Sequence, residues 1–141
     1  MLNRLLAPFW VAAIFLVLSG CSGITGPQLL TFFDWGEVEV PEDVVPGVST
    51  TTALGELFIL GQFQTPTQCY VLDAEFRQTG KNVTVRVTAE PTGAPNCDPN
   101  LGGFRYTASI RNLEFGTYDL SVIHDIVGGT SVEYTRTVTI K

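Results

Sequence analysis

His124 is the only imidazole in the chain, so a Ser-His-Asp or Cys-His arrangement has no other ring to use as a base. Asp125 is its immediate neighbour, and Asp119 lies five positions earlier on the opposite face of an alternating segment, so neither is set to orient the ring. A histidine at a core edge or loop end is the simpler reading. Carboxylates recur two positions apart, as Asp73 with Glu75 and Glu37 with Glu39, which puts each pair on one strand face at about 7 Å. Paired acids can hydrolyse glycosides, but a solvated strand face accounts for them with fewer assumptions. Asn96-Cys97-Asp98-Pro99-Asn100 gathers oxygen ligands suited to a hard cation, yet it lacks the ligand set and the Glu of an EF-hand loop, so it reads as a turn. No G-x-S-x-G, H-E-x-x-H or Gly-rich phosphate loop occurs. The residues therefore predict a protein that is not an enzyme, with no catalytic residue, no metal site and no cofactor.

The thiols carry more information. Cys21 ends a segment in which Arg4 and the amino terminus supply positive charge and Leu5 to Leu18 is uncharged, the layout of a signal peptide. Fourteen apolar residues are too few for a spanning helix, which needs about 20, and Pro8 would spoil its first turns. Leu18-Ser19-Gly20-Cys21 resembles the lipobox of bacterial lipoprotein signal peptides. That resemblance implies cleavage before Cys21, diacylation of its thiol and acylation of the new amino group. Two or three acyl chains hold a protein to a bilayer where one holds only marginally, each buried methylene adding about 0.8 kcal/mol. Ser22, in place of the Asp associated with inner-membrane retention, leans the expected location towards the outer membrane.

Export then governs the remaining thiols, because setting Cys21 aside leaves Cys69 and Cys97 as the only pair. In an oxidising envelope such a pair usually forms a disulfide. Closing a loop of roughly 29 residues stabilises a fold by about 3.6 kcal/mol in the chain-entropy model, less any strain. The competing reading, a metal site, would want further Cys or His ligands nearby, and His124 is close in sequence to neither cysteine.

Composition sets the frame in which these residues must be held. Residues 1–20 read as the signal peptide, 21–28 as lipidated Cys and a short Gly- and Pro-containing tether, and 29–141 as one domain. Ser22 to Glu56 holds six acids and no Lys or Arg, so the early part of the domain should stand off from anionic lipid. With a net charge of −6 and no basic patch, nucleic acid is not an expected partner.

Period-two alternation recurs and helical periodicity does not. Leu29 to Phe33 and Glu37 to Val40 read as a first strand or a broken pair, closed by Pro41 and Pro46, and Leu54 to Phe63 as a central or fully buried strand. Cys69 to Arg77 alternates, with Tyr70, Leu72, Ala74 and Phe76 on one face, then turns at residues 78–82 into Val83, Val85, Val87 and Ala89. A long loop from Pro91 to Gly103 carries Cys97. Strands at Phe104 to Arg111, Thr117 to His124 and Ser131 to Lys141 follow, the last with Arg136 breaking its apolar face, which suggests an edge, a bulge or a snorkelling stem. About seven strands with frequent turns predict an antiparallel sandwich.

The stretch from Leu113 to Val122 resembles the L-x-x-G-x-Y-x-L-x-V signature of immunoglobulin-like and fibronectin type III-like domains. The resemblance implies an Ig-like β-sandwich in which Tyr118 is a tyrosine corner, its hydroxyl bonded back to backbone and its ring in the core. The order of strands, cysteines and corner is similar to small bacterial Ig-like lipoproteins of unassigned role. One departure stands out: the Cys69 to Cys97 spacing is shorter than that of an antibody inter-sheet disulfide and encloses no Trp, so the pair should staple a loop. The expected function is a lipid-anchored, non-catalytic structural or interaction module of the cell envelope with an envelope protein as partner. The alternative is a carbohydrate or small-molecule binding domain built on the 91–103 loop and nearby aromatics.

Overall fold

The structure is a computed structural model that describes residues 31–141. The signal peptide, the Cys21 lipidation site and the tether lie outside the described residues. Eight strands account for nearly all regular structure: β1 (Thr31–Glu37), β2 (Gly47–Ala53), β3 (Glu56–Thr65), β4 (Tyr70–Thr79), β5 (Asn82–Pro91), β6 (Gly102–Ile110), β7 (Gly116–Ile126) and β8 (Ser131–Ile140). A short 3-10 helix, Pro41–Asp43, joins β1 to β2.

They form two four-stranded sheets, ordered β1-β6-β3-β2 and β4-β5-β7-β8. The first is antiparallel throughout, whereas β5 and β7 in the second run parallel, Val83 opposite Leu120 and Val87 opposite His124. This corrects the expectation of about seven strands in a wholly antiparallel sandwich. The added strand is β2, Gly-Val-Ser-Thr-Thr-Thr-Ala, an edge strand whose inward positions Val48, Thr50 and Thr52 include a single apolar residue and so give little hydrophobic alternation. The parallel pair arises because β6 crosses to the other sheet between β5 and β7, so that β7 re-enters beside β5 from the same end. β1 is also a single strand running through Trp35-Gly36 rather than breaking there.

The core is the set of inward side chains from both sheets, dominated by Leu57, Ile59 and Phe63 of β3, the Val83-Val85-Val87 row of β5, Phe104 and Tyr106 of β6, and Tyr118, Leu120 and Val122 of β7. The strict alternation of burial along β5 is the period-two pattern read from its sequence. β3 is central, and only one of its faces is fully buried.

The two open sides of the sandwich differ. Where β2 meets β8, Arg136 donates from Nη1 to Thr50 Oγ1 at 3.1 Å and from Nη2 to the Val48 carbonyl at 3.0 Å, and Thr52 Oγ1 donates to the Thr139 carbonyl. The charge that interrupts β8 is thus spent on bonding the two edge strands. Gly61 is the tightest point of β3, because a methyl group there would overlap the Tyr106 ring. Gly61→Ala is expected to cost about 1–3 kcal/mol by overpacking, measured as a lowered urea midpoint with an unchanged slope.

Candidate functional site

Inward-facing Tyr106 of β6 and His124 of β7 meet across the gap between the sheets, Oη to Nε2 at 2.6 Å. Both are buried, at 2% and 5% exposure. Three aromatic rings surround the imidazole, with centroids at 4.7 Å for Phe63, 4.9 Å for Tyr134 and 5.5 Å for Tyr106. Burial lowers the His124 pKa from 6.5 to about 4, since the charged ring has little water around it. The same burial raises the Tyr106 phenol well above its ordinary value. A phenol held protonated donates to Nε2 of the Nδ1–H tautomer, so the pair stays neutral at physiological pH. The sequence placed His124 on the apolar face of β7 but could not show that it faces Tyr106, eighteen residues away on the other sheet. The signal available was Gly61, a glycine inside a strongly apolar strand, which marks a close approach by another group.

Tyr118 lies at the entry to β7 with its ring buried and its hydroxyl donating to the Glu114 carbonyl at 3.0 Å. Lys81 Nζ donates to the same hydroxyl at 3.1 Å, stands 4.4 Å from the ring centroid and pairs with Glu114 at 3.6 Å. The hydrogen bond to Tyr118 is the chief reason that the Lys81 pKa is raised.

Cys69 and Cys97 form a disulfide that ties the 92–101 loop to the start of β4, beside a bond from Thr92 N to the Cys69 carbonyl. It staples a loop, not the two sheets. Asp98 accepts from Asn100 N at 3.1 Å, an Asx turn. Among the described residues no three His, Cys, Asp or Glu side chains converge. Asp73 and Glu75 are separated along the exposed face of β4, with Glu75 registered opposite Arg86. Phe104 and Tyr106 are fully buried, Phe33, Trp35 and Tyr70 are half-buried against the core, and Phe32 is half-exposed. The aromatics of the sequence are thus mostly core.

A second concavity, not foreseen from the sequence, crosses the outer face of the β1-β6-β3-β2 sheet. It is an open groove of about 720 Å³ in which Arg105 and Gln62 sit opposite each other, flanked by Gly36 and Gly47, with Leu60 and Thr107 in the next row. Compared with protein-family models, curated proteins and solved structures, the chain finds no match in any of the three.

What the Tyr106–His124 arrangement can do is fasten the sheets. Tyr106→Phe leaves the imidazole without its partner and is expected to cost about 1–3 kcal/mol. The pH dependence follows from the lowered pKa. Below pH 6.5 the unfolded chain takes up a proton that the folded chain refuses until about pH 4. Stability is therefore full above pH 6.5 and falls between 6.5 and 4, by up to about 3 kcal/mol. Urea midpoints across this range should show that loss in the unsubstituted chain, and His124→Gln should flatten it.

Proposed function

We propose that the chain is a lipid-anchored lipoprotein of the bacterial cell envelope whose sandwich is an Ig-like, non-catalytic structural or protein-interaction module. The observation that carries the reading is Leu18-Ser19-Gly20-Cys21 after an uncharged apolar run. The Ig-like assignment draws support from three features. β3 and β6 are central neighbours of one sheet, both connect onward to the other sheet, and Tyr118 bonds back to backbone at the corner between β6 and β7. The parallel strand β5 beside β7 is a variation on that frame, in which an antiparallel neighbour is the rule.

The non-catalytic reading draws on the fate of the lone imidazole, which is bonded inside the core and neutral. A protein partner suits the outer edges, since among the described residues β1 and β4 each pair on one side only and can accept an added strand. The carbohydrate alternative has less support, because the aromatics it would need are largely committed to the core. Cys21→Ser should move the protein from the membrane fraction to the soluble fraction, and mass spectrometry of the unsubstituted protein should find an acylated amino-terminal Cys21. An unmodified Cys21 would overturn the reading.

A further inference from the structure

The two ends of the sandwich are unlike. At the end where β1 begins lie three interlocked turns: Leu54-Gly55 between β2 and β3, Gly80-Lys81 between β4 and β5, and residues 111–115 between β6 and β7. Leu113 N donates to the Gly55 carbonyl at 3.0 Å, and Asp119 N donates to the Lys81 carbonyl at 2.9 Å. Two large apolar side chains project from this rigid end, Leu54 at 95% exposure and Phe115 at 74%.

Leu54 is the more informative. It occupies the first position of a two-residue hairpin turn with φ 46°, followed by Gly55 at φ 79°. Such turns favour Asn, Asp or Gly at that position, because a branched side chain is strained at positive φ. A leucine there is unfavourable for the turn and, at 95% exposure, adds little packing to offset that.

Charge follows the same axis. Lys81, Arg111 and Lys141 lie at this end with Glu56, Glu114 and Asp119, and Glu114 and Glu56 pair with Lys81 and Arg111, so its charges are largely balanced. Glu39, Glu42, Asp43 and Asp98 lie towards the opposite, disulfide-bearing end and form no ion pair among the described residues. The acidic segment that follows the tether thus runs away from the end where the strand starts.

We infer that the Leu54 and Phe115 turns form a membrane-facing tip that inserts its two apolar side chains into the interfacial region of the bilayer, with Lys81, Arg111 and Lys141 at the headgroups. The inference rests on the lipoprotein reading for its geometry. Thr31, where the described chain begins, lies at this end, and nine residues separate it from Cys21, a reach of at most about 35 Å. Apolar tips beside long cationic side chains are what an interface accommodates, and such a second contact would fix the orientation of a domain that lipid alone leaves free to swing.

The test uses the full chain, recovered from membranes and reconstituted in phosphatidylethanolamine–phosphatidylglycerol vesicles with brominated acyl chains. Leu54→Trp and Phe115→Trp should show blue-shifted emission and a loss of fluorescence to the bromines relative to the unsubstituted chain. Val45→Trp, at an exposed position towards the other end, should show neither. Quenching at positions 54 and 115 supports the tip whether or not Cys21 carries lipid. Unquenched tryptophans in a chain that floats with the vesicles overturn the tip and leave the anchor standing. Unquenched tryptophans in a chain that does not float overturn both.

Discussion

The Tyr106–His124 hydrogen bond is the constraint around which the sandwich is arranged. An imidazole buried among Phe63, Tyr134 and Tyr106 has few ways to satisfy its ring nitrogens, and an unpaired one is costly to hold in so apolar a place. The phenol reaches it only because β3 offers a glycine where the Tyr106 ring passes. One position on each of three strands is therefore fixed together: Gly61 to admit the ring, Tyr106 to span the gap and His124 to receive the bond. Because facing residues alternate with period two, a one-residue slip of β6 would turn Tyr106 to solvent and orphan His124. The bond thus adds a fixed point of register inside the core to the bonds that Arg136 and Thr52 make between β8 and β2 at the edge.

Each boundary of the sandwich is closed by a different device. Arg136 and Thr52 join β8 to β2 on one side, the Cys69–Cys97 disulfide holds the long loop at one end, and Tyr118 with Lys81 and Glu114 locks the turns at the other. Among the described residues the side where β1 and β4 lie has no comparable latch and leaves its strand edges unpaired.

The parts legible in the sequence are those whose information is local. The β4-β5 hairpin was plain because Gly80-Lys81 makes its turn and Val83, Val85 and Val87 alternate perfectly with polar partners. Likewise Arg136 points to an edge, a bulge or a snorkelling stem, since a charge on an apolar face must reach something polar, and the edge is what the structure shows. The β2 strand was missed because the inward positions of an edge strand can be threonines, which carry little hydrophobic signal. The parallel β5-β7 pairing was not readable, since it joins segments separated by a whole strand in the other sheet. For the same reason the partner of His124 could not be named, although the face on which it lies was correct. The turn at residues 96–100 is legible from local turn chemistry, whereas the groove at Gln62 and Arg105 depends on register across four strands.

With a single histidine in the chain, an NMR titration of its imidazole reports on the cross-sheet bond without overlap from other residues. A folded-state pKa of about 4, with Nε2 unprotonated and Nδ1 carrying the proton at neutral pH, is the expected result. A pKa near 6.5 in the folded chain would mean that the ring is solvated, and that the sheets are not held by Tyr106 and His124.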